Sequence, residues 1–180
     1  NGWLEMDEKR RSGGASTRRP GQRWQPRKEI RLLPEAFLGG VPFLLTVCAA
    51  ERRALLTDER FGWEAYRAMP LAAEKTGATL WCGVVMPDHT HLLVSAVDGK
   101  SPLDVGSCFK RLVTIEARKL GHSGALWQRR VHDRGIRTDF NHDPAAVIRY
   151  VLDNPVRRGL VSSWERWPFS HLHPEIGLTP

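Results

Sequence analysis

Cysteine and tyrosine are the scarce residues of this chain. The three cysteines, Cys48, Cys82 and Cys108, lie far apart in 180 residues, and none belongs to a CxxC pair. That spacing excludes a zinc ribbon and gives no basis for a disulfide framework. Their apolar neighbours mark them as buried, reduced thiols of a cytosolic protein. Long apolar runs are missing too. The segment from Ile30 to Ala50 follows basic residues and ends in Cys-Ala-Ala, a faint imitation of a secretory signal, but Pro34, Glu35, Gly39, Gly40 and Pro42 interrupt it. Its longest clean run of about ten residues is too short to span a membrane, so it reads as neither signal nor anchor. Acidic residues are in deficit: 20 against 27 Lys and Arg leave a net charge of +7. That balance favours a polyanionic partner.

The charge is unevenly placed. Residues 1–31 hold nine basic and four acidic side chains and so carry +5 of the total. This stretch is rich in Gly, Ser, Arg and Pro without hydrophobic periodicity, which predicts a basic, disordered tail over residues 1–30. Residues 31–175 are long enough for one domain with its own core.

Within that domain, apolar β-branched runs predict strands at Val41–Ala49, Ala78–Met86 and His89–Val97, the last two joined by a turn at Pro87-Asp88. A helix capped by Asp58 takes in Phe61, Ala65, Ala68 and Met69, and Gly77 ends it. Ser101-Pro102-Leu103-Asp104 starts another, running to about Leu120 and burying Leu103, Phe109, Leu112, Val113, the Glu116 stem and Leu120. A fourth strand is predicted over Leu126–Ile136. A last helix begins at Asp143-Pro144, with Val147, Ile148, Val151 and Leu152 as its apolar residues, and Pro155 should end it. The aromatic C-terminal segment, with Trp164, Trp167 and Phe169, should pack back on the body.

Two pairs of histidines are spaced by two, His89/His91 and His171/His173. On a strand, residues two apart share a face, and neutral imidazole is a common metal ligand. Pro168 and Pro174 flank the second pair and argue against a regular strand there. The first pair sits in a strong strand pattern and is the better half-site, with two satisfied histidines on a polar sheet face as the bland alternative. Tyr150, one of only two tyrosines, lies four residues before Asn154, so the two share a helix face. A phenol becomes a nucleophile when its proton is removed or its oxyanion is stabilised. Beside a metal-polarised phosphate it could attack phosphorus, with the Asn154 carbonyl oxygen as a third ligand. Read alone, the pair is a helix-face aromatic with a solvated hydroxyl and a residue that accommodates the turn before Pro155.

The stretch Met86-Pro87-Asp88-His89-Thr90-His91-Leu92-Leu93 resembles the HUH motif of single-tyrosine transposases. Tyr150-Val151-Leu152-Asp153-Asn154-Pro155-Val156-Arg157-Arg158-Gly159-Leu160-Val161 resembles the tyrosine segment of their REP-associated branch. Leu126-Trp127-Gln128-Arg129, Trp167-Pro168-Phe169-Ser170 and Phe43-Leu44-Leu45-Thr46-Val47 are similar to further blocks of that branch, in order across residues 41–173. Thr90 stands where the motif usually has a bulky apolar residue, and Asn154 is shorter than the glutamine of some relatives.

This resemblance implies an α+β, ferredoxin-like antiparallel sheet with helices packed on one face, of the HUH nuclease type. It implies a bacterial, cytoplasmic, nucleoid-associated enzyme that cleaves and rejoins single-stranded DNA at hairpin elements with Mg²⁺ or Mn²⁺. His89, His91 and Asn154 become metal ligands and Tyr150 the nucleophile that forms a 5′-phosphotyrosine. Lys110, Arg111, Arg129, Arg130, Arg134, Arg137, Arg157 and Arg158 are the candidate phosphate contacts. Monomer and homodimer are both compatible. Two other readings stay open: a domesticated hairpin-binding protein without turnover, and a hydrolase in which the histidines hold Zn²⁺ and water is the nucleophile.

Overall fold

The computed structural model describes residues 29–31, 41–97, 100–136 and 144–179; residues 1–28 and Arg137 lie outside them. Its strands are β1 (Glu29–Arg31), β2 (Phe43–Cys48), β3 (Ala78–Met86), β4 (His89–Ala96), β5 (His132–Gly135), β6 (Ser170–Leu172) and β7 (Gly177–Thr179). Its helices are α1 (Glu59–Thr76), α2 (Leu103–Lys119), α3 (Pro144–Leu152) and the single turn α4 (Asn154–Arg157). Strands β2 to β6 form one antiparallel sheet in the order β5-β2-β4-β3-β6, and β1 pairs with β7 in a separate ribbon. This is the antiparallel α+β architecture expected of the sequence.

The pleat sorts the sheet's side chains into two cores. On one face Leu45 and Val47 of β2, Leu80 and Val85 of β3, and Leu92 and Val94 of β4 meet α1 and α2. Helix α1 presents a stripe of small residues, Gly62, Ala65, Ala68, Ala72 and Ala73, so its backbone comes close to the sheet. At Gly83 the approach leaves no room for a side chain, since a Cβ there would stand 2.7 Å from Met69 Sδ. The Asp58 carboxylate caps the helix by accepting the Arg60 amide at 3.0 Å, and Gly77, at φ 68°, closes it in the left-handed conformation that glycine tolerates best. Pro70 sits within the helix without ending it.

The opposite face is covered as well, which corrects the expectation that the helices pack on one side. Leu44, Trp81, Cys82, Val84, Met86 and Leu93 form a second core with Ala145, Ile148, Val151 and Leu152 of α3. A register shift between Leu80 and Cys82 turns Trp81 to the same face as Cys82, where its indole N–H donates to Ser95 Oγ at 2.8 Å. The central strands are apolar on both sides and cannot leave either face in water.

Other expectations change in detail. Leu103 and Leu120 are exposed (38% and 37%), because α2 buries the stripe Val105, Phe109, Val113 and Ala117 instead. Leu103 points away from that stripe and Leu120 lies past the last turn. The strand expected over Leu126–Ile136 shrinks to the exposed edge strand β5; Leu126–Val131, with its run of charged residues, follows β2 as a loop through the bonds Ala50 N–H to Leu126 O and Gln128 N–H to Cys48 O, both 2.9 Å. Pro155 does not end α3, which stops at Leu152, but sits in the first turn of α4, where its missing N–H costs nothing. His171 lies in a strand after all: β6 pairs with β3 as a short edge, and the flanking prolines fall outside the paired residues. The C-terminal aromatics do pack back, with the Trp167 indole donating to Val85 O at 2.8 Å.

The two-faced core gives a stability test. Ile148 is fully buried on α3 whereas Ile115 of α2 is 47% exposed. Ile148→Ala should cost about 2–4 kcal/mol in urea denaturation, and Ile115→Ala less than about 1 kcal/mol. Equal costs would show that α3 does not cover the second face.

Candidate metal and nucleophile site

The site is built where β4 leaves its turn. Antiparallel pairing sets His91 opposite Thr46 on β2 and opposite Val84 on β3, and sets His89 opposite Cys48 and Met86. Both histidines therefore share the α3 face with Leu93, and both are buried (4% and 8% exposed). Their Nε2 atoms face each other at 3.2 Å. Each Nδ1 has its own partner: Asp88 Oδ1 for His89 at 2.7 Å and Thr46 Oγ1 for His91 at 3.0 Å.

Burial pushes the His91 imidazole down to about 3, helped by the neighbouring His89. His89 is lowered as well, by burial first, with the Asp88 contact opposing it. Burial alone would raise the Asp88 carboxyl, but the His89 bond and the charges of Arg158 and Arg52 hold it below the usual carboxylate range. Asp88 is thus an ionised acceptor, and His89 must give it the Nδ1 proton. That leaves the His89 Nε2 lone pair aimed at His91.

Tyr150 comes to this pair from α3. The same burial that seats Ile148, Val151 and Leu152 leaves Tyr150 at the margin of the second core, with its ring centroid 6.4 Å from that of His91. The Arg157 guanidinium lies over the phenol ring at 4.7 Å, a cation–π contact that also brings positive charge near the hydroxyl. The buried Asn154 donates its amide to Tyr150 O at 2.8 Å and Val151 O at 3.2 Å. Using the amide nitrogen this way caps the last carbonyls of α3 and reserves the side-chain oxygen for another role.

The donor set fits a divalent cation. Two imidazole nitrogens 3.2 Å apart would be close enough to hold one ion together. Both ligands have partners behind them on Nδ1, the outer-shell pattern that orients metal-bound histidines. Among the described residues no cluster of three or more His, Cys, Asp and Glu could hold a metal, and Asn154 is the polar side chain that follows Tyr150 on the same side.

The remaining candidates divide. Arg157 and Arg158 lie at the site, Arg158 with Nη2 3.9 Å from Asp88 Oδ1. Lys110, Arg129 and Arg130 line a shallow concavity with Leu103, Ser107 and Val131, which neither His89 nor His91 lines. Lys110 is half-buried there and spends its charge on backbone carbonyls, Gln128 O at 2.7 Å and Arg129 O at 3.3 Å. Arg111 and Arg134 are exposed, on α2 and on the sheet edge. His171 and His173 stay apart from the site, against Tyr66 and Trp81. Sequence reasoning missed Asp88, Thr46 and Arg52 as site residues. Asp88 read as a turn residue, Thr46 was legible only through strand register, and nothing marked Arg52.

No protein-family model matches the chain. A curated REP-associated tyrosine transposase of Escherichia coli strain K12 is 25% identical over 149 residues, covering 80% of this chain and 85% of that protein. A Haemophilus influenzae protein given the same name provisionally is 28% identical over 103 residues, with 51% of this chain aligned to 57% of the relative. The chain is thus similar in sequence to REP-associated tyrosine transposases. A solved member of that family, bound to a REP hairpin, shares the fold with a TM-score of 0.59 at 23% identity, over 79% of this chain and 88% of that one. The alignment to the Haemophilus relative spans little more than half of that transposase's length. No described helix is long and apolar enough to cross a membrane.

A histidine held neutral by burial binds fewer protons folded than unfolded. The stability it contributes is complete above its ordinary value of 6.5 and is lost as the pH falls toward the folded value of about 3. Between pH 7 and pH 5 the protein should lose about 2 kcal/mol through His91. Denaturation of His91→Gln should show that much less pH dependence over the same interval, and an unchanged slope would place the loss elsewhere.

Proposed function

We propose that the protein is a metal-dependent tyrosine transposase that cleaves single-stranded DNA beside a REP-like hairpin and transfers the broken strand. The observation that carries this reading is the convergence of Tyr150 on the His89/His91 pair across the second face of the sheet. The names of the curated relatives, and the hairpin held by the solved family member, supply the class of substrate.

In this reading His89, His91 and Asn154 would hold Mg²⁺ or Mn²⁺, which would supply Lewis-acid charge to the phosphate of the strand and help to orient it. Tyr150 Oη attacks the phosphorus, the bond from phosphorus to the 3′ oxygen breaks, and the tyrosine becomes a 5′-phosphotyrosine. The phenol gives up its proton and the departing 3′ oxygen gains one. Because one phosphate ester replaces another, a second 3′-hydroxyl can reverse the step without ATP. Asp88 keeps the His89 proton on Nδ1 throughout, and Arg157 places positive charge by the phenol.

Incubating the protein with Mg²⁺ or Mn²⁺ and an end-labelled, hairpin-flanked single strand should give a complex that survives denaturation. Tyr150→Phe should remove it, with cleavage down by about 10³-fold or more. Cleavage that survives Tyr150→Phe refutes the mechanism, tight hairpin binding without any adduct points to a binding protein, and hydrolysis without an adduct points to water as nucleophile.

A further inference from the structure

Two arginines from distant segments meet on one carboxylate at the edge of the histidine pair. Arg52 Nη1 lies 3.4 Å from Asp88 Oδ2, and Arg158 Nη2 lies 3.9 Å from Asp88 Oδ1. The carboxylate is largely shielded (15% exposed) and already gives its short contact, 2.7 Å, to His89. The guanidiniums are about half exposed (51% and 56%) and loosely held by comparison. Two positive groups against one shared negative group leave an excess positive charge beside the site, on side chains that are both about half exposed.

The backbone holds both residues in place. Arg52 and Glu51 are the only described non-glycine residues with positive φ, both at 54°, a conformation that persists in non-glycine residues where surrounding structure enforces it. Here the enforcing contacts come from the β3–β4 turn itself: Ala49 N–H to Asp88 O at 2.9 Å and Leu56 N–H to Pro87 O at 3.0 Å bracket the strained turn. Arg158 caps α4 through its amide to Asn154 O at 3.0 Å, so it is carried by the same turn as Asn154. A planar fork of N–H donors on each side is the chemistry that recognises a phosphate.

We propose that Arg52 and Arg158 form a phosphate clamp that seats one phosphodiester of a single strand beside the histidine pair, with Asp88 holding both guanidiniums ready in the free protein. The proposal rests on the DNA-processing reading and deepens it by naming how the strand's phosphate is placed. Arg52 carries no counterpart in the sequence pattern that marks the tyrosine segment, and its role follows from the fold alone.

The test is oligonucleotide binding in the absence of metal, with a short single strand as probe, followed by cleavage. Arg52→Ala and Arg158→Ala should each weaken binding about tenfold, and the double variant should flatten the dependence of log K on log salt by about 0.7, the share of one single-strand phosphate. Arg67→Ala, whose guanidinium pairs with Glu64 on the outer surface of α1, should bind as the parent does. Mn²⁺ affinity should be unchanged in the arginine variants and lost in His89→Ala, which separates clamp from metal site. NMR signals of the Arg52 and Arg158 Nε–H groups should shift as the oligonucleotide is added. If these shifts appear in a protein that cleaves nothing, the clamp stands and the transposase reading falls. If the protein cleaves while the double variant keeps its affinity, salt slope and rate, the clamp is wrong.

Discussion

The two-residue turn at Pro87-Asp88 is the constraint on which the site depends. It brings β3 straight back as β4, pairing Met86 with His89 and fixing which residues of each strand share a face. A slip of one residue would turn both histidines toward α1 and α2 and present Thr90 and Leu92 to α3. The turn also fixes its surroundings: its carbonyls accept from Ala49 and Leu56, and its carboxylate takes His89 and the two arginines. One tight connection thus sets register, imidazole orientation and local charge together.

The tyrosine reaches this turn for reasons of burial rather than polarity. Ile148, Val151 and Leu152 are wholly removed from water against Trp81, Val84, Met86 and Leu93, each contributing roughly 1.5–3 kcal/mol. That contact fixes the rotation of α3, and rotation decides that Tyr150 points at the edge of the core near His91. The break after Leu152 then lets Asn154 fold back under the helix end and starts α4, which delivers Arg157 and Arg158 to the same side. A side chain placed by a hydrophobic contact is as well located as one placed by hydrogen bonds, because core packing tolerates little displacement.

Much of this was readable in the residues. The long apolar strands, the Asp58 cap, the Gly77 stop and the His89/His91 pair are local signals, and the structure keeps them. What failed was whatever depends on partners distant in sequence. That α3 takes the face opposite α1 and α2 follows from Trp81, Val84 and Met86 being apolar on that face too, a pattern that a continuous apolar run conceals. The Leu126–Ile136 segment carries β-compatible residues, but only His132–Gly135 pairs continuously with β2, and Leu126–Gln128 meets it through isolated backbone bonds. His171 could join β6 because an edge strand of three residues leaves its flanking prolines unpaired. Arg52 was invisible because its strained turn is imposed by hydrogen bonds that Ala49 and Leu56 donate to the Asp88 and Pro87 carbonyls.

The histidine pair is also hydrogen-bonded at every ring nitrogen as it stands. Asp88 fixes His89 with its proton on Nδ1, so His91 must meet the facing lone pair with an Nε2–H and accept at Nδ1. Thr46 can supply that hydrogen, because a hydroxyl both donates and accepts. If both Nε2 lone pairs were given to a cation, the His91 proton would sit on Nδ1 and the same hydroxyl would accept it. A carboxylate at position 46 could serve only the second state, and an aliphatic residue neither. Thr46 therefore lets one buried constellation be fully hydrogen-bonded in two protonation patterns, so a site closed to water need not be held open at the expense of stability.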